Sequence, residues 1–258
     1  MYGYENKRVV VSGCASGIGR ATAALLLKLG AEVHGLDRQN TDLGLASFTE
    51  LDLAVPESIE AAGAKIAGRV DALFNCAGLP PTRAALDVLK VNFLGTRYLT
   101  ERVLALMAEG GAIVSTSSNG GMGWQKHLPE LLELLDQSGF AGGLTWLEQR
   151  LPMISNAYSY AKEGLIVWTM QNSTSLIKRG IRINCTSPGA VQTPMLDEIE
   201  TKVSQGAIAA VEAPSGRRSS PEEQAAALVM LNSSAASYIN GVDLAVDGGF
   251  AATQKLRG

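Results

Sequence analysis

A β-branched run, Arg8–Ser12, leads directly into the turn Gly13-x-x-x-Gly17-x-Gly19, and a helical pattern follows without a break. Glycines at such a turn let the backbone bend sharply and let another backbone or a ligand come close. Residues 20–29 carry Ala21, Leu25, Leu26 and Leu29 at helical spacing, with Gly30 as the stop signal. Residues 32–36 read as a second strand that ends at Asp37. A strand, a helix and a second strand within about thirty residues form a βαβ unit. That unit commits the chain to parallel strand pairing, because only a crossover of this length can return the chain in the same direction.

The alternation continues. Helices are expected over 56–68, 86–107 (in one piece or two), 158–178 and 221–231, and strands over 70–75, 112–116, 181–186 and 242–246. Repeated βα units imply a parallel sheet covered on both faces. At 258 residues and 46% hydrophobic, the chain suits one α/β domain with a large core. One segment, 122–156, breaks the rhythm. It is expected to form two short amphipathic helices, around 128–135 and 144–148, separated by Gly139, Gly142 and Gly143. This is a small helical insert beside the site, not a second domain.

Charge and cysteine usage exclude several function classes. A net charge of −3 offers no basic surface for nucleic acid or an anionic membrane. The apolar runs fall well short of the roughly 20 residues that span a bilayer. The first residues lack a secretory pattern. Cys14, Cys76 and Cys185 are far apart and odd in number, so neither a disulfide framework nor a zinc site is expected, and a reducing cytoplasm is the simple reading. His34 and His127 are the two histidines, and both read as structural or solvated. No metal is expected.

Two constellations carry chemistry. The glycine turn at a helix N-terminus suits a pyrophosphate, since glycines allow close approach and the helix end favours negative charge. Asp37 at the end of the second strand can accept hydrogen bonds from an adenosine ribose and would repel a 2′-phosphate, which favours NAD over NADP; the adjacent Arg38 pulls the other way. Tyr158 and Lys162 stand four residues apart, on one face of a helix. A free tyrosine has a pKa of roughly 10, and a nearby ammonium is expected to lower it. A phenol tuned this way exchanges a proton with an alcohol or carbonyl. Tyr160 competes for that role, but two residues from Lys162 it faces away.

Together Gly13–Gly19, Asn75–Gly78, Ser117–Ser118, Tyr158-x-x-x-Lys162 and Pro188–Thr193 resemble the short-chain dehydrogenases/reductases of single-domain type. The resemblance runs from about residue 7 to 249, interrupted by the insert. It implies a Rossmann-like doubly wound sheet and an alcohol dehydrogenase or carbonyl reductase using NAD. It implies Tyr158 as proton donor or acceptor, with Lys162 lowering its pKa and binding the nicotinamide ribose. Ser118 would hold the substrate oxygen; it matches better than Ser117 because Gly121 follows at the family's spacing. Asn92 matches the helix asparagine that supports a water-linked proton path to Lys162. Gly13, Ser16, Gly17, Ile18 and Gly19 would contact the cofactor, with Asp37 and Arg38 at the ribose and Asp52 and Leu53 at the adenine. Asn75, Ala77 and Gly78, and then Pro188, Gly189, Val191 and Thr193, would line it too. Cys76 stands where the family often has a second asparagine, a mild departure without expected effect on the chemistry.

The loop 195–213 supplies the substrate lid in this family. Here Met195, Leu196, Ile199, Val203, Ile208 and Val211 suggest an apolar pocket. The long insert and the stretch 158–168 resemble a bacterial branch that includes 3α-hydroxysteroid dehydrogenase/carbonyl reductases and coniferyl alcohol dehydrogenases, most of all the coniferyl-alcohol type. The expected substrate is therefore a hydrophobic ring-bearing alcohol or its carbonyl, aryl, allylic or steroidal. Trp124, Trp146 and Trp168 read as packing residues, with Trp146 the candidate exception because it lies in the insert. The alternatives are a non-catalytic NAD-binding regulator or scaffold, and dehydratase or epimerase chemistry. A pure binder needs only the glycine turn and Asp37, not the rest of the set. The insert precedes the Tyr158 helix, a common interface of the family, so a homodimer is expected in preference to a homotetramer.

Overall fold

The structure is a computed structural model that describes residues 2–202, 205–212 and 214–257. The first half runs β1 (Arg8–Ser12), α1 (Gly17–Lys28), β2 (Glu32–Asp37), β3 (Ser47–Glu50), α2 (Pro56–Lys65), β4 (Val70–Asn75), α3 (Ala85–Leu89), α4 (Thr96–Leu104) and β5 (Met107–Thr116). Then come α5 (Leu128–Leu135), α6 (Gly139–Arg150), α7 (Ala157–Leu176), β6 (Arg182–Pro188), α8 (Pro194–Glu200), α9 (Gln205–Glu212), α10 (Pro221–Asn232), β7 (Asp243–Val246) and α11 (Phe250–Arg257). The seven strands form one sheet in the order β3-β2-β1-β4-β5-β6-β7, and every neighbouring pair is parallel. This is the expected doubly wound α/β sheet, with the strand order reversing between β1 and β4.

The sheet is buried on both faces, and the strand side chains alternate between two cores. Val10, Leu73, Ile113 and Ile183 join the core shared with Ile59, Leu99, Val103 and Leu165 from α2, α4 and α7. Val9, Val11, Phe74 and Val114 point the other way, against Ala23 and Leu26 of α1 and Leu228 of α10. Helix α10 starts on a capping box: Ser220 accepts from the Glu223 N–H while the Glu223 side chain reaches back to the Ser220 backbone. Among the described residues, no helix is long and apolar enough to cross a membrane.

Several elements differ from the sequence expectation; the stretch expected as the loop 195–213 carries the helices α8 and α9. Strand β3 was not foreseen. It is a short edge strand of Ser47, Phe48, Thr49 and Glu50 that carries no hydrophobic run. The 86–107 helix is continuous, but its centre, Lys90–Gly95, is a π-helical turn, and Met107 already begins β5. The second insert helix is longer than foreseen, because Gly142 and Gly143 lie inside α6 and do not separate helices. A Cβ on Gly143 would come within 2.6 Å of Leu94 Cδ2, so this glycine serves close helix packing. Trp146 is 6% exposed in the core beneath that helix, with the Arg150 guanidinium 4.1 Å from its ring centroid; it is a packing residue like Trp168.

Gly19 is the glycine with the least room. A Cβ there would lie 2.0 Å from the Gly13 carbonyl oxygen. Gly19→Ala is expected to cost about 1–3 kcal/mol of stability through overpacking against backbone. A lowered urea midpoint with unchanged slope would report it, and an unchanged midpoint would contradict it.

Candidate active site

A cavity of about 340 Å³ opens at the carboxyl ends of the strands, over the point where the strand order reverses. Its near wall is the β1–α1 turn. Gly13 sits at φ +75°, donates its N–H to Leu36 O at 2.8 Å, and lies so close to β4 that a Cβ would meet Ala77 N at 2.6 Å. Helix α1 begins at Gly17 with no side-chain cap from Ser16 and no acidic residue in its first turn, so its leading N–H groups have no side-chain acceptor of the helix's own. Gly13, Ser16, Gly17 and Ile18 line the cavity. Gly19 does not; it keeps the turn folded against β1.

Asp37 and Arg38 stand on the next stretch of wall. The Asp37 carboxylate holds the turn, accepting from Ala15 N–H and Gln39 N–H at 3.0 Å each. Arg38 makes no ion pair among the described residues. Asp52 and Leu53 complete this end, with Asp52 Oδ1 accepting from Ala54 N–H at 2.8 Å. Ala77, Gly78, Pro188, Gly189, Val191 and Thr193 line the middle. Asn75 is not on the wall. It is 3% exposed beneath it, where its amide donates to Thr100 Oγ1 at 2.9 Å and Ser115 Oγ at 3.2 Å, tying β4 to α4 and β5.

Ser118, Tyr158 and Lys162 meet at the far end. Ser118 ends the segment after β5. Its hydroxyl caps a 3₁₀ turn by accepting from Gly120 N–H at 3.1 Å. Asn156 caps α7, accepting from Ser159 N–H at 3.0 Å, and so sets Tyr158 at the first turn of the helix. Lys162 is 5% exposed, donates to Thr116 O at 2.8 Å, and places its Nζ 5.6 Å from the centroid of the Tyr158 ring. Burial drives the Lys162 ammonium down from 10.5 to about 8. Burial also raises the Tyr158 phenol above 10, while a hydrogen bond with Ser118 works in the opposite direction. Both groups lie in the same desolvated pocket, and burial is the largest cause of each shift.

Asn92 stands apart from these three. It is 1% exposed within the π-helical turn, and its amide clamps Leu79, accepting from the Leu79 N–H at 2.6 Å and donating to the Leu79 carbonyl at 2.9 Å. It lies behind Gly78, where a Cβ would be 3.3 Å from Asn92 Oδ1 and 3.8 Å from Lys162 Nζ.

Sequence reasoning missed Leu79, Val91 and Thr116, which also line the cavity; adjacency to Gly78, Asn92 and Ser117 was the only signal. Met195, Leu196 and Ile199 of α8 do reach the cavity, as the lid expectation required. Ile208 is buried, and Val211 lines a separate, smaller cavity; Val203 lies outside the described residues. Glu198 fastens α8 across the mouth through Thr82 and an ion pair of 2.7 Å with Arg83. Cys76 lines the cavity with its thiol pushed up to about 11 by burial, hence neutral near pH 7. None of residues 119–157 lines it. Instead α5 packs on α7, and α6 on α3 and the π-helical turn.

Comparison with known proteins agrees with this arrangement. The short chain dehydrogenase family model matches residues 7–129, and the Enoyl-(Acyl carrier protein) reductase model matches residues 144–251. The coniferyl-alcohol dehydrogenase of a Pseudomonas strain, HR199, is 39% identical over 96% of this chain and 98% of its own. The 3-alpha-hydroxysteroid dehydrogenase/carbonyl reductase of Comamonas testosteroni is 30% identical over 96% and 97%. The crystal structure of the 3-alpha-hydroxysteroid dehydrogenase from Pseudomonas sp. B-0831 complexed with NADH superposes with a TM-score of 0.81, at 30% identity, over 98% of this chain and all of that one. The expected family and branch are both borne out: the chain belongs to the short-chain dehydrogenases/reductases, a family of oxidoreductases that use a nicotinamide cofactor.

Proposed function

We propose that the protein is an NAD-dependent dehydrogenase that interconverts a hydrophobic ring-bearing alcohol and its carbonyl. The observation that carries this reading is the convergence of Ser118, Tyr158 and Lys162 in the same cavity that the uncapped N-terminus of α1 faces. A pure dinucleotide binder leaves that convergence unexplained. The likeness to the coniferyl-alcohol dehydrogenase and the apolar side chains of Leu79, Val91, Met195, Leu196 and Ile199 favour an aryl or allylic alcohol, with a 3-hydroxysteroid as the second candidate.

The residues present fit a dinucleotide. The N–H groups at the start of α1, which have no side-chain acceptor of the helix's own, suit a pyrophosphate. Asp37 presents a carboxylate where an adenosine ribose would lie, and it disfavours a 2′-phosphate. Lys162 would bind the nicotinamide ribose. Bound there, the oxidised nicotinamide supplies a hydride acceptor and a positive charge that favours phenolate.

The chain's own groups then divide the work. The Tyr158 phenolate takes the alcohol proton. Ser118 holds the alcohol oxygen beside it, so that the proton leaves from a fixed geometry. Lys162 holds positive charge next to the phenolate and is itself oriented by the Thr116 carbonyl. Asn92, through its clamp on Leu79, braces the segment after Gly78; the family role of supporting proton passage to Lys162 is proposed for it on the resemblance.

The insert shields α7 and the π-helical turn, which supports a dimer over a tetramer. Light scattering is expected to show twice the 27.1 kDa chain mass, and a fourfold mass would overturn this assignment.

Two measurements test the chemistry. Reduced-nicotinamide absorbance is expected to show turnover of aryl or allylic alcohols with NAD and much less with NADP. Tyr158→Phe should lose about 10²–10⁴-fold of it while NAD still binds. Equal rates on short aliphatic alcohols, or equal use of NADP, would contradict the reading. For Lys162, the folded value near 8 lies below the ordinary 10.5, so between the two the unfolded chain holds more protons. Stability therefore rises with pH across that window. Lys162→Met should lack this rise in a urea-midpoint series, and an identical rise in both proteins would show that Lys162 is not the group responsible.

A further inference from the structure

Glu163, the residue after Lys162, is 3% exposed, a buried carboxylate that the mechanism above does not use. Its Oε2 meets Nδ1 of His127 at 2.7 Å. His127 belongs to the segment that leaves β5, carries Ser117 and Ser118, and ends in a 3₁₀ turn, Trp124–His127. This strap lies along α7 at Lys162 and Glu163. Ser117 Oγ donates to Lys162 O at 2.9 Å. A Cβ on Gly121 would stand 3.0 Å from Lys162 C, and one on Gly123 would stand 3.1 Å from Glu163 Oε1. The strap thus holds Ser118 near its start and is anchored at its end by His127.

We propose that Glu163 and His127 are a positioning pair that holds the Ser118 strap in register against the helix bearing Tyr158 and Lys162. The proposal rests on the dehydrogenase reading for its kinetic consequences. The pair is buried only on its Glu163 side, since the His127 side chain is 48% exposed; it specifies one geometry, and breaking it leaves a costly unpaired buried carboxylate. The pair bridges a point next to Lys162 and a point on the Ser118 segment, so its geometry bears on how Ser118 meets Tyr158.

Titration gives the pair a signature. Burial raises the Glu163 carboxyl above 4.5, and the His127 hydrogen bond, the His127 charge and Lys126 oppose the rise. The next residues on α7 are Lys162 before it and, one turn back, Tyr160, whose ring lies 5.7 Å from that of His127 and which feels Glu163 together with Glu130 and Glu133 of α5 and Arg150 of α6. A raised carboxyl contributes stability at low pH that is lost as pH climbs through its folded value. Ionised Glu163 therefore costs stability near neutrality. Glu163→Gln should accordingly melt no lower than wild type at neutral pH.

The test compares wild type, His127→Ala, His127→Asn and Glu163→Gln in two ways: kcat against pH with NAD and an aryl alcohol, and acrylamide quenching of tryptophan, since Trp124 lies on the strap. His127→Ala is expected to lower kcat by about ten-fold with KM for NAD unchanged, move the acid limb to higher pH, and increase quenching. His127→Asn, which keeps a donor, should restore most of kcat. Glu163→Gln should lose the acid limb. Wild-type kcat, acid limb and quenching in His127→Ala would overturn the pair. No turnover in wild type would overturn the dehydrogenase reading instead, and quenching alone would then decide the pair: increased in His127→Ala supports it, unchanged overturns it.

Discussion

The parallel pairing of β1 with both β2 and β4 places the cavity on which the rest of the structure depends. It makes β1 the strand at which the order reverses, so the crossovers on its two sides leave in opposite directions and a crevice opens between them at the carboxyl ends. The pairing also brings the turn after β1 against the segment after β4, close enough that no side chain fits at Gly13. The same closeness exposes the uncapped start of α1 to the cavity. The dinucleotide end of the site is therefore a product of strand order and glycine size together.

The chemical end depends on a different physical fact, the removal of charged groups from water. Lys162 and Glu163 are adjacent on α7 and both are buried, and each has the pKa shift that burial imposes. Each also has one close polar partner, a carbonyl for the ammonium and an imidazole for the carboxylate. Such groups cost stability and are tolerated where geometry matters more than the last increment of stability. The apolar lid from α8 reaches this end of the cavity, while the insert packs on the outside of α7 and contributes the His127 imidazole to Glu163.

Much of this was legible before the fold was known. The βαβ unit is written in the spacing of Gly13, Gly17 and Gly19 between two β-branched runs, and the central strands in near-continuous apolar stretches that only a doubly covered sheet can bury. Tyr158 and Lys162 were legible because helical spacing alone puts them on one face. What was hidden had no periodicity to show it. Strand β3 is polar and at an edge. Gly142 and Gly143 look like a linker in sequence, yet both lie inside α6, and Gly143 packs against Leu94. Asn75 and Gly19 sit in cofactor motifs but work one layer behind the wall. His127 read as structural or solvated, and nothing in the sequence linked it to Glu163, 36 residues on.

By itself the sequence determined the fold class, the family, and the residue types brought to the cavity, because local spacing and the order of motifs along the chain carry that information. The tertiary structure decided which of those residues touch the cavity, which only support it, and the protonation balance of the reacting pair. Burial is a property of the whole packed molecule, and it moves the phenol of Tyr158 up and the ammonium of Lys162 down, each toward its neutral form.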